Sequence, residues 1–242
     1  MILEVCVDSA ESAIAAQRGG AGRVELCADL EHGGVTPSAG LMKSVRENVA
    51  LNIHVMIRPR PGDFCYSEAE FSEMKRNIRE AKALDVDGLV FGILSSDGRI
   101  DAERNAILLE MARPLSVTFH RAFDETIDLF AALSELTRLG FNRVLTSGGM
   151  PSVEAGLQTL TRLVHAAESS MKILAGGGIT HENVANVVEQ TGVDEIHALR
   201  SVSTMLVLGS SDAKFVHSPR MVADASKVRW MVETLQRLSS LK

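Results

Sequence analysis

Short apolar segments rich in β-branched residues recur along the chain, and a longer segment with helical spacing follows each one. This alternation predicts strand–helix units and a parallel sheet, because parallel strands are usually joined by a crossover helix. The predicted strands are Ile2–Val7, Arg23–Cys27, Asn52–Arg58, Gly88–Leu94, Leu115–Arg121, Arg143–Ser147, Lys172–Gly177 and Glu195–Leu199. Eight units of one type favour an α/β fold of the (β/α)8 TIM barrel class over an open doubly wound sheet.

The length of the chain agrees with one such barrel. The chain has 242 residues, and TIM barrels have roughly 250, so we expect residues 1–242 to form a single domain. The last loop, 200–219, has no clear periodicity, and a closing helix over about 221–241 would complete the outer ring. Long loops also follow strands at 28–38 and 59–67, and in a barrel such loops build the ligand-binding mouth.

Composition and charge narrow the class of partner. With a net charge of -6 and scattered arginines, the chain has no basic field for a polyanion, so we expect no nucleic-acid partner. The N-terminal apolar run is too short for a signal peptide, and no stretch approaches the ~20 apolar residues of a membrane span. Three cysteines are too few for a secreted disulfide framework, which favours a cytoplasmic protein.

Polar residues share one face of the predicted strands. Residues two apart in a strand point to the same side, and in the first strand Glu4 and Cys6 alternate with Leu3, Val5 and Val7. Apolar residues suit the helix layer, so the polar side is predicted to face the barrel interior. The inward set is Glu4, Cys6, Glu25, Cys27, His54, Arg58, Thr118, His120 and His197.

Such a set is unusual, because TIM-barrel interiors are normally packed with branched apolar side chains. Buried charges are tolerated when they are paired and hydrogen-bonded. Two interpretations follow: a structural network that holds the strands in register, or a ligand or reaction site at the strand ends.

Cys6 and Cys27 are candidate metal ligands. They occupy similar depths on consecutive strands and share the inward side, and neighbouring strands lie about 4.8 Å apart. Soft thiolates select Cu(I) or zinc, so the pair is predicted to be able to share one ion. The alternative is that both are small buried hydrophobes, and no CxxC or HExxH motif strengthens the metal interpretation.

A catalytic interpretation uses the same groups differently. Arg58 would hold an anionic substrate, His120 or His197 would transfer protons, and Glu4 or Glu25 would orient or assist. Cys27 would be a nucleophile if the arginine lowered its pKa. No order or spacing of these residues singles out a reaction.

Glycine-containing turns follow two late strands. Ser147 and Gly148 follow the sixth strand, and Gly177 and Gly178 lead from the seventh towards a helix. Glycine lets backbone N–H groups approach an anion at a helix N-terminus, and barrels often bind phosphate near their last two strands. These residues are therefore candidate ligands for phosphate or carboxylate, although tight turns alone would also require glycine.

Six separated blocks carry a resemblance to a known family. They are EVCVDS from Glu4, RVELCADLEHGGVTPS from Arg23, IRPRPGDFCYS from Ile57, VTFHRAFD from Val117, RVLTSGG from Arg143 and AGGGIT from Ala175. In this order they resemble the CutC family of copper homeostasis proteins, over nearly the whole chain to about His197. Beyond it the serine-rich, arginine-containing loop usual in the family is replaced by the apolar run 205–208.

The resemblance implies a TIM barrel, a cytoplasmic location and a homo-oligomer, either a dimer or a tetramer. It also implies that Cys6 and Cys27 match the pair proposed to bind Cu(I) in animal members. The residues that match the family's barrel mouth are Glu25, Arg58, His120, Arg121, Asp124 and His197.

Three hypotheses for function result. The first is a cytosolic protein of copper homeostasis that binds Cu(I) through the cysteine pair. The second is an enzyme of undefined reaction that acts on a small anionic or phosphorylated metabolite, with His120, Glu25 and Arg58 as its catalytic residues. The third is a structural or interaction protein, which requires a closed mouth whose polar groups all pair with one another.

Overall fold

Eight parallel strands close into a barrel in the order β1 to β8 in a computed structural model, which describes residues 1–206 and 220–240. The strands are β1 Ile2–Val7, β2 Arg23–Leu26, β3 Asn52–Met56, β4 Gly88–Phe91, β5 Ser116–Phe119, β6 Arg143–Thr146, β7 Lys172–Ala175 and β8 Glu195–Ala198. The helices are α1 Ala10–Gly19, α2 Ala39–Asn48, α3 Glu68–Ala83, α4 Ala102–Ala112, α5 Leu129–Leu139, α6 Leu157–Ala167, α7 Val184–Thr191 and α8 Ala225–Ser239. The predicted TIM barrel is confirmed.

Local signals in the sequence explain where several helices begin and end. The Ser9 hydroxyl accepts a hydrogen bond from the backbone N–H of Ser12 at the start of α1, and Gly20 ends this helix with a φ of 87°. At α3, Ser67 and Glu70 form a reciprocal capping box. These caps satisfy backbone groups that the helices leave unpaired at their ends.

The predicted strands begin where the observed ones do, except that β5 begins at Ser116. After β1, each strand ends one to three residues before its predicted end. The ladder stops where the chain turns outward towards the next helix, whereas burial continues into the loop, as at Ile93 and Leu94. Consequently Cys27, Arg58 and His120 lie just beyond strands rather than within them.

The segment after β8 differs from the predicted irregular loop. A 3-10 turn, Arg200–Val202, leads into strand β9, Ser203–Leu206, which pairs antiparallel with β10, Arg220–Ala223. Residues 207–219 lie outside the described part of the chain. The closing helix α8 begins at Ala225 instead of about 221, because residues 220–223 are paired in β10 and Asp224 caps the helix.

The alternating strand pattern separates two cores. Leu3, Val5 and Val7 belong to the large core between strands and helices. Cys6 and Cys27 instead pack inside the barrel with Met56 and Val90, which confirms the predicted inward side of β1 and β2. Within 1–206 and 220–240, no helix is long and apolar enough to cross a membrane.

Candidate metal and anion site at the barrel mouth

A cavity of about 720 Å³ lies at the carboxyl ends of the barrel strands. The predicted site residues that line it are Cys6, Glu25, Arg58, His120, Arg121, Asp124, Gly177, Gly178 and His197. Cys27 contacts Cys6 and is almost fully buried. Ser147 and Gly148, also predicted as ligand-binding residues, do not line the cavity.

Glycines at strand ends make room for two histidines of the site. A Cβ atom on Gly92 would lie 2.9 Å from Cε1 of His120, and a Cβ atom on Gly176 would lie 2.9 Å from Cβ of His197. Either contact is too close for an unshifted side chain. The small residues therefore let both imidazole rings lie inside the barrel.

The cysteine pair lies where the strand register predicts it. Cys6 on β1 is level with Glu25 on β2, so Cys27 lies one step further along the same inward face. The Sγ atoms of Cys6 and Cys27 are 3.9 Å apart, and the Cys27 thiol donates to Oε2 of Glu25 at 3.6 Å. Gly34 packs on this pair, since a Cβ atom there would lie 3.1 Å from Sγ of Cys27.

Both thiols are held in the protonated form. The hydrogen bond to Cys27 and burial raise the pKa of Cys6 well above its ordinary value. The hydrogen bond with Cys6 acts to lower the pKa of Cys27, but burial and the Glu25 carboxylate outweigh it and raise this pKa to about 12. The lowered pKa that a nucleophilic Cys27 would require is not found.

His197 lies between two buried carboxylates. Its Nδ1 is 2.8 Å from Oε1 of Glu4, and its Nε2 is 3.9 Å from Oε2 of Glu25. Burial acts to lower the pKa of His197. The charge of Glu25, a hydrogen bond with Cys6, and the hydrogen bond and charge of Glu4 outweigh burial and raise this pKa well above its ordinary value. On the carboxyl group of Glu25 burial has the opposite effect, and it raises the pKa of Glu25 despite the charge of His197.

These groups form two overlapping clusters of potential metal ligands. One consists of Cys6, Glu25 and Cys27, the other of Glu4, Glu25 and His197, and in each the ligand atoms lie within 4.8 Å of one another. Oε1 of Glu25 is buried without a hydrogen-bond partner among the described residues. The donor set is chemically suited to a thiophilic ion, with two sulfur atoms and one uncommitted carboxylate oxygen.

A charged layer lies deeper in the barrel. Arg23 donates to Glu4 and, at 2.5 Å, to Glu195, while Nε of Arg143 donates to Glu195 at 2.9 Å. Burial lowers the pKa of His54 to about 3, and Arg23 and Arg143 add to the effect. The inward set predicted from sequence omits Arg23, Arg143 and Glu195, although Arg23 and Glu195 have the same strand parity as Glu25 and His197.

Arg58 is a buried cation held by backbone carbonyls. It is 5% exposed, and its Nη1 donates to the carbonyls of Gly34 at 3.0 Å and His32 at 3.3 Å, while Nη2 donates to Gly62 at 2.7 Å. Its guanidinium lies 4.9 Å from the ring centre of Phe64. Among the described residues, no carboxylate lies within ion-pairing distance of it, and its Nε has no partner.

His120 contacts the same phenyl ring. Its imidazole centre is 4.8 Å from that of Phe64, and its Nδ1 accepts a hydrogen bond from the N–H of Ala122 at 3.3 Å. Nε2 is buried with no partner within the described part of the chain. Burial, with the charge of Arg58, lowers the pKa of His120 to about 3, so the ring is neutral at physiological pH.

The carboxylate of Asp124 binds backbone N–H groups of the turn after β6. It accepts hydrogen bonds from the N–H groups of Ser147 at 3.1 Å and Gly149 at 2.9 Å. The N–H of Gly148 donates to the Thr146 hydroxyl at 2.8 Å. An internal carboxylate therefore takes the place that an external anion was predicted to occupy at Ser147 and Gly148.

Arg121 closes this side of the cavity. Its Nε donates to Asp124 and its Nη2 donates to the Ser147 hydroxyl, both at 2.8 Å. Gly177 has a φ of 107°, and a Cβ atom there would lie 3.1 Å from Nη1 of Arg121. The glycine turn after β7 thus allows the guanidinium to pack against the backbone.

Comparison with known proteins decides the family. The model of the CutC family matches residues 1–202. The chain belongs to the CutC family. The mouse copper homeostasis protein cutC homolog is 46% identical over 237 residues, which cover 94% of this chain and 87% of the mouse protein. The CutC family protein of Bacteroides fragilis strain ATCC 25285 is 39% identical and covers 99% of this chain and 98% of its own length.

A solved CutC structure has the same fold. The putative copper homeostasis protein CutC from Streptococcus agalactiae matches with a TM-score of 0.77 and 35% identity, over 81% of this chain and 97% of that one. The matched range 1–202 contains every residue of the cavity wall named above. The CutC resemblance inferred from the six sequence blocks is confirmed.

Proposed function

We propose that this CutC family protein acts in copper homeostasis by binding Cu(I) through Cys6 and Cys27. The observation that carries the proposal is the 3.9 Å separation of the two buried Sγ atoms inside the barrel. With metal–sulfur bonds of about 2.3 Å, as for zinc thiolates, an ion between two sulfurs spans about 4.6 Å. A small adjustment of the side chains would therefore admit the ion.

The surroundings of the pair suit a monovalent soft cation. Two neutral thiols become thiolates when they bind the ion, so binding releases protons and leaves one net negative charge on the two sulfurs and Cu(I). The His197 cation lies nearby, and the hydrogen bond between His197 and Glu4 fixes the orientation of its ring. Thiolate ligands also favour Cu(I) over harder cations.

The test is an anaerobic Cu(I) competition titration against a chelator of known affinity. We expect the wild-type chain to bind one ion tightly, and Cys6→Ser and Cys27→Ser each to lose that binding, because a hydroxyl is a poor Cu(I) ligand. Cys65→Ser is the matched control, since Cys65 is exposed and lies outside the pair; it should bind as the wild type does.

Circular dichroism of each variant establishes that the barrel is folded. Stoichiometric binding retained in a folded Cys6→Ser and Cys27→Ser double variant would refute the proposal, as would equal loss in Cys65→Ser. Family membership also supports two further proposals, a cytoplasmic location and assembly as a homo-oligomer, either a dimer or a tetramer.

A further inference from the structure

The cavity at the barrel mouth is much larger than a metal site needs. Its volume is about 720 Å³, whereas one water molecule occupies about 30 Å³ in the liquid. Cavities of roughly 300 to 1,000 Å³ are those that take small organic ligands. Cys6 lies on β1 and Cys27 at the end of β2, so the part of the wall at the ends of β3 and β5 requires a separate explanation.

We propose that this part of the wall is a binding site for a small organic anion, whose carboxylate or phosphate group lies against Arg58 and His120. Both side chains line the cavity, and both contact the ring of Phe64. The site is separate from the cysteine pair and does not depend on copper binding.

Arg58 supplies the charge. A buried ionised group is costly unless it is paired with an opposite charge. Arg58 is 5% exposed, yet its partners among the described residues are neutral: carbonyls of the loops after β2 and β3 and the Tyr66 hydroxyl. These carbonyls hold the guanidinium in one position. An anionic ligand would supply the missing countercharge and an acceptor for Nε, which has no partner among the described residues.

His120 supplies a neutral donor. Because Nδ1 accepts the N–H of Ala122, the proton of the neutral ring resides on Nε2, the atom without a partner. A buried donor left without an acceptor is unfavourable, and an anion oxygen would satisfy it.

The remaining wall favours an organic ligand over a bare inorganic ion. Met56, Leu145 and Ile179 line the cavity and would contact the apolar part of a small metabolite. Arg121 also lines it, but Asp124 already neutralises this guanidinium at 2.8 Å. Arg200 lines the cavity too but is exposed, and His197 is paired with Glu4. Among the described lining residues, Arg58 is therefore the buried cation without a carboxylate partner.

Isothermal titration calorimetry at low ionic strength tests the site, with inorganic phosphate and succinate as probes. We expect saturable binding of at least one probe at one equivalent per chain, weakened about tenfold or more by Arg58→Gln and by His120→Asn. Asparagine can still accept the N–H of Ala122 but lacks the Nε2 donor. Arg138→Gln is the control, because Arg138 is an exposed arginine of α5 outside the cavity and is paired with Glu135.

The outcomes separate this site from the copper site. The Cys6→Ser and Cys27→Ser double variant should keep probe binding, and Arg58→Gln should keep Cu(I) binding. Absence of saturable binding of both probes to the wild-type chain overturns the proposal, as does equal weakening by Arg138→Gln. Should Arg58→Gln fail to fold, a folded His120→Asn that binds the probe as tightly as the wild type overturns it.

Discussion

At the scale of a single residue, burial of the neutral His120 ring makes the free energy of unfolding depend on pH. The pKa of His120 is about 3 in the folded chain, against about 6.5 in an unfolded one. Between these values the unfolded state binds more protons, so stability falls as pH falls through this window. From pH 7 to pH 5, His120 should remove about 2 kcal/mol from the free energy of unfolding.

We therefore expect the free energy of unfolding to fall less for His120→Asn than for the wild type between pH 7 and pH 5, with a difference of about 2 kcal/mol. Urea unfolding at the two pH values measures the difference. His165→Asn is the control, because His165 is exposed on α6 and its replacement should leave the pH dependence unchanged. An identical pH dependence of wild type and His120→Asn would contradict the prediction.

Residue parity shows how far sequence reasoning reaches into the site. Alternation along the strands correctly places Glu4, Cys6 and Glu25 inside the barrel. The same alternation assigns Arg23 and Glu195, which begin their predicted strands, to the inward side, but the inward set omits both although they are buried. Side-chain contacts such as that of Arg58 with backbone carbonyls depend on loop conformation, for which periodicity carries no information.

At the scale of elements, β3 and β4 pack together because a glycine on β4 leaves room for a histidine side chain on β3. Gly88 is level with His54 in the parallel ladder, and a Cβ atom on Gly88 would lie 2.4 Å from Nε2 of His54. We expect Gly88→Ala to lower the free energy of unfolding by about 1–3 kcal/mol, since the buried ring must shift in a packed interior. Chemical denaturation measures this loss.

A double-mutant cycle tests the cause. In the presence of His54→Ala the cost of Gly88→Ala should shrink by about 1 kcal/mol or more, because the clashing ring is absent. Gly40→Ala in the exposed first turn of α2 is the control, and it should be neutral or slightly stabilising. Additive costs for His54→Ala and Gly88→Ala would show that the ring contact does not restrict this position.

The secondary structure could be predicted well where elements repeat and poorly where they do not. Eight strand–helix units follow one rhythm, and the beginnings of the strands agree with it. The pair β9 and β10 breaks the rhythm, because residues 207–219 separate two short strands in the chain and nothing in either strand alone indicates its partner. Antiparallel pairing of this kind is determined by tertiary contact rather than by local pattern.

At the scale of the whole molecule, strands from several parts of the chain meet in one buried charged layer. Glu195 on β8 binds Arg23 on β2 and Arg143 on β6 at 2.5 and 2.9 Å, and it is almost fully buried. Burial acts to raise the pKa of Glu195, but the two arginines lower it below the ordinary value, so the carboxylate is ionised. The layer thus connects β2, β6 and β8 across the barrel.

Removal of this carboxylate should therefore destabilise the entire barrel. Glu195→Gln leaves two buried guanidinium groups with one carboxylate fewer, and we expect a loss of about 3 kcal/mol or more in urea unfolding. The control is Glu135→Gln, which breaks the pair of Glu135 with the largely exposed Arg138 and should cost less than about 1 kcal/mol. Equal losses in the two variants would mean that the buried layer adds no more to stability than a surface ion pair, and the barrel would then depend on its apolar shell alone.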